Sequence, residues 1–562
     1  MAGNILTPSA IWSDFSINGV PNFNVVSENI VDDIIFTYGY IDGKMVNDQT
    51  VKIYTVTARK IQQAILPAIL LVQDFDSDFN LEVITDFAKR GYLVTSVDLA
   101  GRAENKEFYT VYPETIEYAN YQTVKDNLYK VSGEVVNTCW YEWVCVLKYA
   151  LKYLSSNPMV NRIGCFGFGE AGTALWQVAG TDEDELSCAV FALNAGWNGY
   201  RKINKFGGMV EPQFDDDMYK FIAGVEPQAY AMHVTCPTLM LSPTNSPYYD
   251  ADRAYDTLSR IENARTVMHY SVGCSGKIDN EGYLNTVNFF DLFLKKGGAK
   301  ADDFPYETDI SCEVVNGAVE ITVKPFMKKI IDVELYVSEE VNSPSLRCWQ
   351  KVLGGKREEE TFKFTYSPYV ESGSVTFFAQ AKYKGDLAVG SKIINKRFKK
   401  EEVSNSHKSN ILYSSRIKNA ESVFYSANQK GNGKMFTEDA DVVKVKKGPM
   451  GLEGVCCGAG LLTFKFGTRK DRPSDGAILM FDVYAENKGE MFVKLISDYF
   501  GEKKEYLSKV NLIGGDVWQN VKLETARFKT AEGMGFKSME KIEAVEFDVK
   551  DGEFLINNAL WL

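Results

Sequence analysis

The sequence predicts an α/β unit with a mostly parallel sheet, followed by two all-β sandwich units. Three observations predict it. Between Ala68 and Lys295 short apolar runs alternate with helical patterns, the texture of a parallel sheet covered on both faces. From Asp309 onward apolar and polar residues alternate between turn residues and no helical period returns, which reads as antiparallel sheet. At 562 residues, 45% of them hydrophobic, the chain is too long for one core. The expected divisions are 1–302 for the α/β unit, 303–400 for a small antiparallel sandwich and 401–562 for a second β unit.

Taken in order, Ile34–Tyr40 and Val51–Val56 alternate as strands, with Asp42-Gly43 as the turn signal between them. Ala68–Val72 is a continuous apolar run suited to a strand buried on both faces. A helix is expected over Asn80–Arg90, a strand over Leu93–Asp98 and a long amphipathic helix over Glu134–Leu154. Strands follow at Ala189–Leu193, Thr238–Ser242 and Thr266–Tyr270, with helices at Met218–Ala223, Asp252–Ile261 and Tyr283–Lys295. Gly297-Gly298-Ala299 closes that region. The first β unit, of immunoglobulin-like type, draws on Ile310–Val315, Ala318–Val323, Val333–Val337 and Ser374–Ala381, and the charged stretch Lys396–Lys408 reads as a linker.

The stretch the rest is organised around runs from Ile163 to Trp176, a buried strand, a glycine turn and a helix start. Two chemistries use that arrangement. A Gly-x-Gly-x-x-Gly fingerprint admits a dinucleotide pyrophosphate to a helix N-terminus. Gly167, Gly169 and Gly172 match it in spacing, but several strands precede this one and the next strand ends Ala192-Leu193-Asn194-Ala195 with no ribose-binding carboxylate. No nicotinamide or flavin cofactor is therefore expected. The other chemistry is the nucleophile elbow Gly-x-Ser-x-Gly, which fits if Gly169 stands in the serine's place.

The segments also resemble a known family. Gly91–Asp98, Trp140-Tyr141-Glu142-Trp143 ahead of a long helix, the elbow strand and Cys236–Asn245 resemble the acetyl xylan esterase and cephalosporin-C deacetylase branch of the α/β-hydrolases, over about Asp32 to Lys296. The resemblance implies a serine, histidine and aspartate triad. Its three positions align here with Gly169 for the nucleophile, Ser246 for the acid and Gly276 for the histidine, and its oxyanion loop, which normally reads His-Gly, reads Gln73-Asp74. The elbow holds its nucleophile in a backbone region that costs a non-glycine residue about 1–3 kcal/mol, so glycine relieves strain once chemistry is no longer selected. Two side chains outside the triad remain as candidates for catalysis: Glu170, at the helix N-terminus where the dipole favours a carboxylate, and Cys274, in the loop that would carry the histidine. His269 is expected in the core and His233 in a loop.

Residues 410–562 resemble galactose-binding-like jelly rolls of the carbohydrate-binding-module type, on Leu461–Phe466, Ala477–Tyr484, Trp518–Leu523 and Ile556–Trp561. The resemblance implies sugar stacking on exposed rings, for which Tyr499, Phe500 and Tyr506 lie between strands, while Trp518 and Trp561 follow strand alternation and are expected inside. Composition excludes other partners. A net charge of -13 leaves no basic excess for nucleic acid, and no apolar span or leader is read at the start of the chain. The ten cysteines have no metal spacing and only three histidines are present, so reduced thiols in a cytoplasmic protein and no metal are expected. The leading expectation is a non-catalytic hydrolase-like protein that binds a carbohydrate, a small ester or a protein partner. The alternative is an active ester hydrolase with a remodelled site.

Overall fold

The computed structural model describes residues 4–61, 65–75, 77–103, 106–182, 185–201, 203–207, 212–296, 304–306, 308–431, 433–550 and 552–562. Nine strands build the first sheet: β1 (Phe23–Val31), β2 (Ile34–Val46), β3 (Gln49–Lys60), β4 (Leu66–Val72), β5 (Leu93–Val97), β6 (Val160–Phe168), β7 (Cys188–Ala192), β8 (Thr238–Pro243) and β9 (Thr266–Ser271). They lie in the order β1-β2-β3-β5-β4-β6-β7-β8-β9. Strands β4 to β9 are mutually parallel, and β1, β2 and β3 join the edge antiparallel. This is a mixed sheet, parallel in its larger part, with helices packed on it.

Strands β4 and β7 are apolar throughout because both faces are covered. Leu70 and Phe191 face a core shared with Trp143 and Trp176. Ile69, Leu71 and Val190 face the opposite core with Phe87 and Phe290. The helices that position the site are α1 (Leu81–Lys89), α2 (Cys139–Ser155), α3 (Gly172–Ala179), α4 (Ala251–Leu258) and α5 (Asn280–Phe290). Helix α2 starts later than the sequence suggests. Val135–Asn137 is a separate single turn, and Thr138 caps the helix by accepting the Tyr141 N–H.

One expectation near the N-terminus is corrected. The turn between β2 and β3 is not at Asp42-Gly43, which lies inside β2. It is at Asn47 and Asp48, both left-handed with φ 48 and 62°, as a tight hairpin turn with two left-handed residues demands. Strand β1, unmarked in the sequence, extends the sheet by one.

Between Thr308 and Arg397 lie a four-stranded and a five-stranded antiparallel sheet, and between Ile411 and Trp561 a six-stranded and a five-stranded one. Ile321, Leu335, Phe364 and Phe377 of the first pair are continuous with the core around Phe290. The second pair has its own core, with Leu479, Phe481, Val493 and Phe547. The division expected at 302/303 falls outside the described residues. The stretch read as a linker is laid along the middle unit: the N–H of Ser404 donates to Gly317 O at 3.0 Å and that of Val370 to Asn405 O at 2.9 Å, and Val403 is buried.

Candidate functional site

The loops that leave the C-terminal ends of β4, β6, β7, β8 and β9 meet at one edge of the sheet, where open α/β folds place their chemistry. Gly169 follows β6 with φ +66°, in the left-handed region that favours glycine. Its neighbours explain the glycine more strongly than its backbone does. A Cβ built there would lie 1.7 Å from Asp74 Oδ1 and 2.5 Å from Asp74 Cγ. The Asp74 carboxylate comes from the loop after β4 and accepts the Glu170 N–H at 3.1 Å. That N–H follows the elbow residue, the donor a serine hydrolase turns toward its oxyanion. The other two fingerprint glycines are also taken up by packing. A Cβ on Gly172 would meet Asn194 Nδ2 at 1.8 Å, and one on Gly167 would meet Gly172 Cα at 2.9 Å.

Around the elbow the charges are paired. Glu170 Oε1 accepts from Arg201 Nη2 at 2.6 Å and from the Tyr129 hydroxyl, and the Arg201 guanidinium lies 4.0 Å from the Tyr129 ring centroid. Arg201 is carried by the strained loop after β7, in which Leu193, Gly196 and Trp197 are all left-handed. Beneath that loop Glu226 is fully buried. Its Oε1 accepts the Gly199 N–H at 3.0 Å. Burial pushes the Glu226 carboxyl up to about 7, more than the N–H groups of residues 197–199 pull it down. Nothing in the local sequence marked Glu226; only its place between a buried glycine-rich loop and Pro227 could have drawn notice.

Ser246 and Gly276, the residues that the resemblance aligns with the acid and the histidine, lie beside contacts with the β units. Ser246, after β8, is buried, and its Oγ accepts the N–H groups of Tyr248 and Tyr249, each at 3.2 Å. Its neighbour Asn245 donates through Nδ2 to the carbonyls of Ser345 and Arg347 at 3.0 and 2.8 Å. Arg347 returns the contact: its Nη2 lies 2.8 Å from Asp252 Oδ2 in the first turn of α4, and neither side chain is exposed at all. Gly276, after β9, faces the C-terminal unit; a Cβ there would lie 2.9 Å from Gly431 N and 3.2 Å from Gln429 O. On either side of it, Gln429 Nε2 donates to Gly273 O at 3.0 Å and Lys277 pairs with Asp441 at 2.8 Å, both ends buried. Burial opposes ionisation of Asp441, yet the Lys277 ammonium, with hydrogen bonds from the Glu438 N–H and Asn428, holds its carboxyl below the usual range. The Tyr425 ring fills the space over Gly273, where a Cβ would be 2.1 Å away. Its hydroxyl accepts the Trp349 N–H at 2.6 Å.

Among the described residues, cavities at this edge include one of about 280 Å³ between the loop after β9, at Gly273, Cys274 and Lys277, and the C-terminal unit, at Tyr425 and Asp441, and two smaller ones. One of about 30 Å³ adjoins Asp74, Lys106 and Tyr54, and one of about 70 Å³ adjoins Ser246, Arg201 and Tyr249. These two fall far below the ~300 Å³ at which small-molecule pockets begin, whereas the cavity against the loop after β9 comes close to it. Cys274 is half-buried, and burial pushes its thiol well above the usual range, so it is no activated nucleophile. His269 is fully buried, and its Nε2 lies 2.8 Å from Asp279 Oδ1. Burial opposes ionisation of Asp279, yet His269, the Gly282 N–H and Lys382 hold its carboxyl below the usual range. Among the described residues no group of His, Cys, Asp and Glu side chains is arranged to hold a metal ion, and no helix is long and apolar enough to cross a membrane.

The aromatic candidates of the C-terminal unit are corrected. Tyr499 and Tyr506 are 6% and 7% exposed, Tyr499 meeting the Phe464 ring edge-on at 5.2 Å, so neither offers a face to a sugar. Phe500 is half-buried against the same ring. Trp561 packs inside, whereas Trp518 is half-buried with its Nε1 donating to Pro449 O at 3.2 Å.

No protein-family model matches the sequence, and no curated protein matches it. Among solved structures, an acetyl xylan esterase from Paenibacillus sp. R4 is similar over 51% of this chain and 92% of its own, at 13% identity and a TM-score of 0.40. Acetyl xylan esterase 1 from Thermoanaerobacterium sp. JW/SL YS485 is similar over 49% and 88%, at 12% identity and a TM-score of 0.35. Est1E from Butyrivibrio proteoclasticus is similar over 46% and 98%, at 12% identity and a TM-score of 0.32. Likeness at this level assigns no activity; the strand order above is what describes the fold.

Proposed function

We propose that this is a non-catalytic, hydrolase-like protein that acts by binding a partner on its surface and not by cleaving esters. The observation that carries the reading is the Asp74 carboxylate, which fills the space of a nucleophile side chain at Gly169 and takes the Glu170 N–H an oxyanion would need. A resident negative charge there repels the charge an acyl transfer develops. The small volumes beside Asp74 and Ser246 leave no room for a carbohydrate or small ester at the elbow itself and favour a surface partner there. On this reading the two β units are sandwiches, the last a jelly roll related to carbohydrate-binding modules, and the protein works in the cytoplasm with reduced thiols. Sugar contact by the jelly roll would have to use surfaces other than Tyr499 and Tyr506.

The test is turnover of p-nitrophenyl acetate and of acetylated xylan by the purified protein. No turnover above the buffer rate is expected. The variant Gly169→Ser, Ser246→Asp, Gly276→His is also expected to stay inactive, since two of its three new side chains start inside occupied space. Native turnover that Glu170→Gln or Cys274→Ala abolishes would establish the alternative, an active hydrolase with a remodelled site.

A further inference from the structure

Strand β1 ends the nine-stranded sheet, and its outer edge pairs with nothing among the described residues. After Phe23 every residue of β1 is exposed on both faces. Val25, Val26, Ile30 and Val31 are 59%, 51%, 61% and 56% exposed. Exposed edges are usually blunted by lysine, proline or brevity. This one has nine residues, no lysine and no proline. Its one irregularity is a bulge between Val25 and Ser27; from Ser27 to Val31 it pairs regularly with Tyr38 to Ile34, which leaves a regular outward row of backbone groups.

We propose that β1 is a docking edge for a second copy of this chain, joined antiparallel about a two-fold axis so that the two sheets become one. The regular segment is its own complement. An axis through Asn29 sets Ser27 against Val31 and Glu28 against Ile30, and brings the two Asn29 amides together, where each can both donate and accept. Glu28, the only charge in the strand, then faces an aliphatic side chain and not its own copy, so no like charges lie directly opposite. Ile30 and Val31 of both copies leave water in the seam. The turn beyond adds no unpaired charge, since Asp32 lies 3.6 Å from Lys89 and Asp33 3.8 Å from Lys60. A two-fold pairing uses the same patch twice and closes, as an unrelated strand would not. This holds whether or not the elbow edge has chemistry.

The test is sedimentation velocity of the full chain at tens of micromolar. The wild type is expected at twice the monomer mass. Ile30→Lys, which adds a charge to an already exposed position, is expected to lose the dimer with an unchanged circular dichroism spectrum. Ile331→Lys, at a 60% exposed site in the middle unit, is expected to keep it. In the wild type, amide exchange over Ser27–Val31 is expected to slow as concentration rises. A wild type that sediments as a monomer, a dimer that survives Ile30→Lys, or exchange over Ser27–Val31 that ignores concentration would each overturn the proposal.

Discussion

Gly169→Ala separates the two reasons for glycine at the elbow. An L-residue at φ +66° costs about 1–2 kcal/mol. The new Cβ also cannot coexist with Asp74 Oδ1 at 1.7 Å, so the carboxylate must leave and the Glu170 N–H loses a charged acceptor, worth about 1.5–3 kcal/mol. The sum is about 2.5–5 kcal/mol, read from the first unfolding transition in urea followed by tryptophan fluorescence. The decisive measurement is the cycle with Asp74→Ala. With the carboxylate already gone, Gly169→Ala should cost only the backbone part, about 1–2 kcal/mol. The coupling between the two sites is then about 1.5–3 kcal/mol. Additivity within about 0.5 kcal/mol would refute the claim that Asp74 occupies the elbow.

Two further outcomes follow from buried charges. Glu226 titrates at about 7 in the folded protein against about 4.3 when unfolded, so the native state binds its proton more tightly. Its contribution favours folding below the unfolded value and is lost as pH rises from there through about 7, of order 3 kcal/mol in all. Glu226→Gln keeps the shape and should remove that slope; an identical pH dependence in the variant would show the carboxyl does not carry it. Arg347→Met leaves Asp252 buried and unpaired and should cost about 3–5 kcal/mol, while Arg347→Met with Asp252→Leu should recover most of it. Equal losses in the single and double variants, measured by thermal unfolding, would mean the pair is not what holds the middle unit to α4.

The parallel core was legible because a strand buried on both faces writes itself as an unbroken apolar run. Ala68–Val72 and Ala189–Ala192 could hardly be anything else. β1 was illegible for the opposite reason: a strand exposed on both faces has no periodicity to betray it. Asp42-Gly43 misled because glycine marks close packing as well as turns, and Gly43 lies against Ile53. Gly169 could be singled out from its position in the elbow, yet the Asp74 carboxylate that demands it lies far away in sequence. The aromatic candidates failed because rings between strands point inward as readily as outward, and composition cannot tell which.

The joints were the least legible feature, and they bear most on function. A catalytic loop must leave one face open to substrate, whereas a joint buries both. Tyr425 lies on Gly273 of the loop after β9 and takes the Trp349 N–H of the middle unit, so three units meet at one side chain. A histidine at 276 would need the space that the Gly431 backbone fills, and an acid loop pinned through Asn245 to the Ser345 and Arg347 carbonyls cannot follow a substrate. A histidine at 276 and this docking exclude each other on the proposed reading. On the proposed reading, glycine there and the attachment of the C-terminal unit are one change, since neither is compatible with the older arrangement without the other.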